Sequence, residues 1–244
     1  INRDDLVNFH RQYYVASNMV IAVVGDLKLR EAQDLVKRVS EKFQKGKAAG
    51  SLPDVSPVKS VEHRIDFPST QSHVMTAYLG IKRDDPRRLA LKVGNYSLGG
   101  GGFQSRMMDE IRDKRGLSYG AYSYFLPMQE TGPFISSLST KNEKAEEAFT
   151  VSKEVIDDFL KTGPSDKELE LAKKNITGGF PLTISSNKKL VSTLAAIGFY
   201  SLPVDYLDTY IDRVNALDRK EVTQAMQSVL SSANRVTVIV GEGQ

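Results

Sequence analysis

Four consecutive glycines, Gly99–Gly102, stand near the middle of this chain, between two segments with helical periodicity. Residues without a Cβ lose the most backbone entropy on folding, so ordinary packing does not require such a run. After it, the sequence predicts a helix over 105–114 and a strand that begins at Tyr119. Arg112 belongs to the last turn of that helix, so Arg112 and Tyr119 can point at the same place.

The composition excludes several classes of protein. Of the 244 residues 40% are hydrophobic, enough to bury a sizeable core as one large domain or one domain plus a fragment. A net charge of +3, with basic and acidic residues interleaved, gives no electrostatic footprint for nucleic acid. Without cysteine there is no disulfide or thiolate zinc site, and the apolar runs are too short to span a bilayer. Because the chain begins with Ile1, we expect a processed form or a piece of a longer protein.

Hydrophobic periodicity predicts helices and strands, with an exposed linker over 44–57 that contains Gly, Ala, Ser and Pro. The predicted helices cover 4–14, 29–43, 86–98, 105–114 and a helical tract over 144–230. The predicted strands cover 19–24, 58–67, 72–79, 119–125, 134–140 and 235–240. Within the tract, Ser165 and Glu168 have the spacing of a capping box, and Gly178–Pro181 predicts a break between helices.

An internal repeat relates the two ends of the chain. Placing 5–25 over 221–241, an offset of 216, aligns helix with helix and strand with strand without a gap. The identical pairs are Asn18 and Asn234, Val20 and Val236, Val24 and Val240, and Gly25 and Gly241. A generic helix-to-strand junction would also explain so few identities. If the repeat is real, the chain holds the tail of one unit and then a complete second unit.

Several motifs in and around the glycine run match one known family. They are the Leu-Gly-Gly-Gly run, Ser105-Arg106, Arg112 and Gly116-Leu117-Ser118-Tyr119. Further similarity extends from the helix Phe9–Tyr14 through Val23–Asp26 to Val240-Gly241. Together they cover nearly the whole chain, which resembles the second half of the pitrilysin or insulinase-type zinc metallopeptidases, the group that includes mitochondrial processing peptidase.

This resemblance implies an α+β fold in which helices cover a largely antiparallel sheet. It implies that 1–50 is the tail of a preceding similar unit plus linker, and that 58–244 is a complete domain. In the family, an arginine and a tyrosine seven positions apart, here Arg112 and Tyr119, come from the half that lacks zinc and reach the substrate at the metal. The residues that we expect to contact an extended peptide are Gly99, Gly100, Gly101, Gly102 and Phe103.

The predicted function is that of a non-catalytic half, which closes a peptide-binding chamber over a metal-bearing half. Its partners would be that half, on the same polypeptide or as a separate subunit, and a peptide substrate. The chain alone would be inactive and would hold no cofactor, because the zinc belongs to the other half. We expect the bacterial periplasm as its compartment, ahead of the cytoplasm or an organelle. The alternative is a structural or assembly subunit of the same fold, with no role in proteolysis.

The zinc motif of this family is missing from the chain. Such a site needs His-x-x-Glu-His on a helix. The nearest match is Glu62-His63, where Lys59 takes the place of the first ligand and the local pattern is that of a strand. Of the two other histidines, His10 is expected to pack half-buried on a helix and His73 to be structural in a strand. We therefore expect no metal on this chain.

Arg112 and Tyr119 have two interpretations. Peptide hydrolysis forms a tetrahedral oxyanion, which a guanidinium and a phenol O–H aimed at it would stabilise. Spacing alone favours a cation at a helix C-terminus and an ordinary strand tyrosine, whereas the resemblance favours the first interpretation. The neighbours Lys114 and Arg115 are expected to sit in solvent. A nucleotide site at the glycine run is disfavoured, because the Gly-Lys-[Ser/Thr] of a phosphate-binding loop is absent.

Overall fold

The computed structural model describes residues 1–230 and 234–243, which form eight α-helices and one five-stranded sheet. The helices are α1 (Arg3–Tyr13), α2 (Leu29–Ser40), α3 (Arg88–Asn95), α4 (Ala145–Thr162), α5 (Asp166–Thr183), α6 (Asn187–Phe199), α7 (Tyr206–Ala216) and α8 (Arg219–Val229). The strands are β1 (Val61–Asp66), β2 (Gln71–Leu79), β3 (Ala121–Phe125), β4 (Pro133–Lys141) and β5 (Arg235–Gly241). None of the described helices is both long and apolar enough to cross a membrane.

The sheet has the strand order β1-β5-β2-β4-β3. β1 and β5 are parallel, and the other three pairs of neighbours are antiparallel. Along β2 and β4 buried and more exposed side chains alternate, as expected when helices cover one face of an antiparallel sheet. The predicted α+β fold with a largely antiparallel sheet is confirmed.

Helices bury one face of this sheet. α4 contacts β2 and β4, while α3 contacts β3 and α8. Large apolar side chains, including Phe134, Phe159 and Ile239, are fully buried. Burying one such side chain stabilises the folded state by about 1.5–3 kcal/mol. On the other face Met75 and Tyr122 are exposed. The core thus lies on the helical side, and the opposite face of the sheet is open.

The chain divides into two compact units. One comprises Asp54–Gly179 with Asp208–Gln244 and holds the sheet. The other comprises Ile1–Pro53 with Phe180–Leu207. In this unit the buried Val15 packs against Gly46, where an added Cβ would lie 2.5 Å from Val15 Cγ1. The segment 44–57 is exposed and has no regular secondary structure. The domain boundaries 1–50 and 58–244 stay a prediction.

Two elements differ from the prediction. Met19–Val24, predicted as a strand, pairs with no strand in the described part of the chain, and a strand needs a hydrogen-bonding neighbour to form a ladder. The break predicted at Gly178–Pro181 is wrong, because α5 continues to Thr183 and Pro181 falls in its last turn, where it removes one backbone hydrogen bond. Residues 231–233 of the repeat alignment and Gln244 of the predicted domain lie outside the described residues.

Candidate functional site

The glycine run is tightly packed rather than loose. It continues α3 into a wide π-helical turn, Tyr96–Gly100, and then a 3-10 turn, Gly102–Gln104. Gly99 is buried, and a Cβ there would lie 2.3 Å from the hydroxyl of Ser123 on β3. Gly102 has φ +59°, a left-handed conformation that glycine adopts without strain. The run therefore lets the backbone pass close to β3 and reverse direction, and its contact with a peptide stays a prediction.

A buried polar pair that the sequence did not indicate fixes this turn to the sheet. The amide of Asn95 donates to the backbone carbonyl of Ser123 at 2.9 Å, and the Ser123 hydroxyl donates to Asn95 Oδ1 at 2.6 Å. A Cβ at Gly100 would lie 2.6 Å from the same Asn95 amide. Asn95 stands four residues after the buried Leu91, so its place on the core face of α3 was the available signal.

Arg112 and Phe103, both predicted site residues, are in contact. Arg112 lies in the π-helical turn Met108–Asp113, and its guanidinium carbon is 4.6 Å from the centroid of the Phe103 ring. Phe103 is 65% exposed. Within the described residues, the ion-pair partner of Arg112 is its neighbour Asp113, at a long 3.3 Å. Arg112 and Phe103 thus form a cation–π pair at the surface, and N–H donors of the guanidinium stay available.

Tyr119 lies two residues before β3, not inside a strand as predicted, and it is 90% exposed. The reason is local: the backbone N–H of Gly120 donates to the Ser118 hydroxyl at 3.1 Å instead of joining the ladder. Ser118 Oγ is also 2.8 Å from the carbonyl of Gly120 and 2.6 Å from that of Ser139 on β4, so its one proton is shared between them. The backbone is therefore anchored on both sides of Tyr119 while the phenol stands in solvent.

One tight turn separates the helix that carries Arg112 from the loop that carries Tyr119. Gly116, at φ +59°, donates its N–H to the Arg112 carbonyl at 2.9 Å, and the buried Leu117 donates to the Ile111 carbonyl at 2.9 Å. No hydrogen bond or ring contact joins Arg112 to Tyr119 in the part of the chain that the structure describes. The turn fixes both backbones and leaves both side-chain ends free to meet a ligand.

Arg106, six residues before Arg112, is fully engaged in the fold. Its guanidinium makes a bidentate contact with the Glu168 carboxylate at 2.7 and 2.9 Å, and it donates to the carbonyl of Gly163 at 2.8 Å. Burial raises the pKa of Glu168, but the hydrogen bonds from Arg106 and Ser165 outweigh burial and lower that pKa to about 2. Ser165 and Glu168 also exchange the backbone-to-side-chain bonds of the predicted capping box, which is confirmed.

Lys114 and Arg115 are exposed, as expected, but they are not free. Lys114 Nζ lies 2.5 Å from Glu110 Oε1, and Arg115 pairs with the other oxygen of the same carboxylate. Hydrogen bonds from Lys114 and then Arg115 lower the pKa of Glu110, against the effect of burial. The carboxylate of Glu110 thus pairs with both of these cations, whereas the ion-pair partner of Arg112 is Asp113.

All three histidines are exposed. His63 is exposed on β1, and His73 Nδ1 is 2.8 Å from the hydroxyl of Ser139. His10 is exposed rather than half-buried, because the ring that it stacks on, Tyr14 at 4.6 Å between centroids, is itself 60% exposed. Among residues 1–230 and 234–243, no three His, Asp or Glu side chains are grouped so that they could hold a metal ion. The described residues therefore do not fit a zinc site.

Comparison with known proteins identifies the family. The model of the peptidase M16 inactive domain matches residues 1–176. An uncharacterized zinc protease of Streptomyces coelicolor is 24% identical over 98% of this chain and 53% of its own length. The non-peptidase homolog YmxG of Helicobacter pylori is 25% identical over 93% of this chain and 53% of its own. The chain thus spans about half the length of these relatives.

Solved structures agree with this match. The crystal structure of a peptidase M16 inactive domain from Pseudomonas fluorescens has a TM-score of 0.95 and 40% identity, covering 100% of this chain and 58% of that one. These matches confirm the resemblance to the zinc-less half of pitrilysin-type peptidases. The chain belongs to the peptidase M16 inactive-domain family.

Proposed function

We propose that this chain closes the peptide chamber of a zinc metallopeptidase and supplies Arg112 and Tyr119 to the substrate. The observation that carries the proposal is that both side chains sit on a fixed backbone and neither is buried in the core. The Arg112 guanidinium lies over the exposed Phe103 ring, and its ion-pair partner Asp113 is at a long 3.3 Å. The Tyr119 phenol is in solvent, between the anchored backbones of Ser118 and Gly120.

The chemistry of these two groups suits peptide hydrolysis. A phenol O–H and a guanidinium can each donate to the oxygen that becomes negative as the scissile carbonyl turns tetrahedral. Such donors act best when their positions are set before the reaction, and the turn at Gly116 and the bonds of Ser118 provide that. Phe103 would offer its exposed ring to a side chain of the peptide, beside the glycine run.

The metal and the general base would come from another half. The described residues of this chain do not form a zinc site, and the relatives are about twice as long as the chain. We therefore infer that a metal-bearing half accompanies this one, on the same polypeptide or as a separate subunit. The isolated chain would then be inactive, and the periplasm stays the predicted compartment.

The test is kinetic and uses the assembled enzyme. Tyr119→Phe and Arg112→Ala should each lower kcat, on the order of tenfold to a thousandfold, while the melting temperature stays near that of the wild type. Tyr124→Phe is the matched control, because Tyr124 is an exposed tyrosine of β3 that the proposal does not use. It should leave kcat and KM within about twofold.

The result also separates two roles for the donors. A loss in kcat means that they act on the transition state, whereas a loss confined to KM means that Arg112 holds the peptide before reaction. Full activity in both variants contradicts the proposal.

The second candidate is a structural or assembly subunit. The observation that favours it is the Helicobacter pylori relative, which is named a non-peptidase homolog. In that case Arg112→Ala and Tyr119→Phe would leave the peptidase activity of any assembly unchanged. The same kinetic experiment therefore decides between the two candidates.

A further inference from the structure

The open face of the sheet carries a surface without charged side chains. The register of the strands places the side chains of this face in rows that run across the sheet. One row contains, in order from β1 to β3, His63, Val238, Met75, Ser137 and Tyr122. The next row, nearer to the loop of Tyr119, contains Ile65, Val240, His73 and Ser139. These residues, here called the uncharged rows, include no Asp, Glu, Lys or Arg.

Apolar side chains of the uncharged rows face solvent. Ile65, Met75 and Tyr122 are 48%, 46% and 49% exposed. α4, which contacts β2 and β4, covers the opposite face, on which Thr76 and Ile239 are buried. Exposed apolar residues that are scattered singly are normal, but a contiguous set on one face marks an interaction site. The rows therefore have the character of an interaction surface.

The uncharged rows are continuous with the loop of Tyr119. A Cβ at Gly120 would lie 2.6 Å from Tyr122 Oη, so the Tyr122 phenol covers the residue next to Tyr119. The carbonyl of Ser139, in the nearer row, is 2.6 Å from Ser118 Oγ on the other side of Tyr119. A ligand that reaches the Tyr119 phenol can thus extend directly onto the rows.

The size of the open face suits a peptide segment better than a folded partner. Neighbouring strands lie about 4.8 Å apart, so the five strands span about 20 Å. Even with a third row, which holds Tyr124, the face extends only about 20 Å along the strands, for a footprint of about 400 Å². A stable protein–protein interface needs about 800 Å² from each partner. An extended segment of about six residues spans the same 20 Å.

The chemistry of the uncharged rows suits an uncharged segment. A charged side chain placed here would lose water without meeting an opposite charge, which costs free energy. Tyr122 offers a flat ring and Met75 a flexible thioether chain, and both adapt well to apolar side chains. Among the described residues, neither the Tyr122 phenol nor the Ser137 hydroxyl makes a hydrogen bond. Both groups can therefore bind the N–H and C=O groups of an extended backbone.

We infer that the uncharged rows hold an apolar segment of the peptide substrate beside the bond that is cleaved, and that Met75 and Tyr122 determine this specificity. The inference rests on the proposed function, because the segment extends from the point where Tyr119 meets the substrate. The substrate class is an unfolded peptide with about six uncharged, mostly apolar residues next to the cleaved bond. Tyr124 lies outside the rows and takes no part in this specificity.

Peptide binding to the assembly of the two halves tests the inference, with a zinc chelator present so that no peptide is cleaved. Fluorescence anisotropy compares three labelled peptides that differ only in carrying Leu, Lys or Glu at one position of the segment. In the wild type, the Leu peptide should bind at least about tenfold more tightly than either charged peptide. Met75→Glu should shift the ratio of the two Kd values toward the Lys peptide by at least about tenfold, and Met75→Lys should shift it toward the Glu peptide.

The matched control is Met128→Glu, because Met128 is also 46% exposed but lies in the loop between β3 and β4. It should leave all Kd ratios within about twofold of the wild type. Each ratio is measured on one protein, so a partial loss of folded protein does not alter it. Equal binding of the three peptides by the wild type overturns the inference, and so do ratios in Met75→Glu that match those of Met128→Glu. A Met75→Glu variant whose only change is weaker association with the other half, or with a second copy, would assign this face to a protein partner and also overturn it.

Tyr122→Ala provides a kinetic signature of the same surface. Contacts made equally before and during the reaction affect KM and leave kcat unchanged. Tyr122→Ala should therefore raise KM for the Leu peptide about tenfold and keep kcat within about twofold, and a loss in kcat alone contradicts the inference.

The outcomes separate this inference from the proposed function. Shifted Kd ratios in the Met75 variants, together with full activity in Arg112→Ala and Tyr119→Phe, would keep the substrate surface and remove the two donors. Unchanged ratios, together with a lower kcat in Arg112→Ala and Tyr119→Phe, would remove the surface alone.

Discussion

Arg106 and Arg112 lie six residues apart on the same helical segment, yet the fold treats them in opposite ways. Arg106 meets a bidentate carboxylate and a backbone carbonyl, and it lies over the ring of Phe159 at 4.9 Å. Arg112 contacts the exposed ring of Phe103, and its ion-pair partner is the adjacent residue Asp113, at 3.3 Å. The first arginine joins this segment to α4 and α5, whereas the second is the one that we propose contacts the substrate.

This difference separates the anchoring of the segment from the contact with substrate that we propose for Arg112. The bonds of Arg106, together with the pair of Asn95 and Ser123, hold the backbone of the segment in place. A side chain on a fixed backbone can be exposed without losing its position, which is what a preorganised donor requires. This contrast is wrong if the stability of the fold does not depend on Arg106, or if it depends on Arg112.

The largest expected effect belongs to Arg106. Arg106→Ala leaves a partly buried carboxylate, Glu168, without its bidentate partner, and should lower the free energy of unfolding by about 3–4 kcal/mol. Arg106→Lys keeps the charge but cannot make the bidentate contact of a guanidinium, so it should restore only part of the lost free energy of unfolding. Urea unfolding of the purified chain measures both.

The control for Arg106 is an exposed ion pair on α5. Lys174 lies 3.8 Å from Glu170 with both side chains in solvent, so Lys174→Ala should cost less than about 0.5 kcal/mol. If Arg106→Ala costs no more than Lys174→Ala, the anchoring role of Arg106 is wrong and the contrast with Arg112 is lost.

The next effect depends on pH and arises from Glu168. Its pKa falls from an ordinary 4.5 to about 2 in the folded chain, so the unfolded state binds the proton more readily. The stabilisation is therefore complete above pH 4.5 and disappears as the pH falls from 4.5 to 2, a loss of about 2–3 kcal/mol. Unfolding free energies of the wild type and Glu168→Gln should differ most at neutral pH and converge near pH 2. Parallel curves for the two proteins would show that this carboxylate does not drive the acid sensitivity.

Much of the fold could be predicted from the sequence, because local patterns determine it. The alternation in β2 and β4 and the capping box at Ser165 follow from residue spacing, and the structure has both. The strand predicted at Met19–Val24 has the right composition but no neighbouring strand among the described residues, and no local pattern reveals whether a neighbour exists. The predicted break at Gly178–Pro181 is absent because Pro181 falls in the last turn of α5, where its missing N–H removes a single backbone hydrogen bond.

The residues of the candidate site stay a prediction from the sequence, whereas the side chains that hold their backbone in place could not be predicted from it. Arg112, Phe103 and Tyr119 were identified from a motif, whereas the Asn95–Ser123 pair depends on residues 28 positions apart. Spacing along one helix does not show which residue of a distant strand it will meet. The same limit hid the partners of Arg106, which come from the end of α4 and the start of α5.

The smallest expected effect is the one that defines the site. Arg112→Ala should change the free energy of unfolding by about 0.5 kcal/mol, because a half-exposed cation at a helix end and a cation–π contact at the surface are each worth little. Phe103→Ala should be similarly mild, since the ring is mostly in solvent. Urea unfolding of both single variants and of the double variant isolates their coupling, which should also be about 0.5 kcal/mol. A loss above about 2 kcal/mol in Arg112→Ala would place this arginine beside Arg106 as a structural residue, and any loss of turnover in that variant would then reflect unfolding rather than a missing donor.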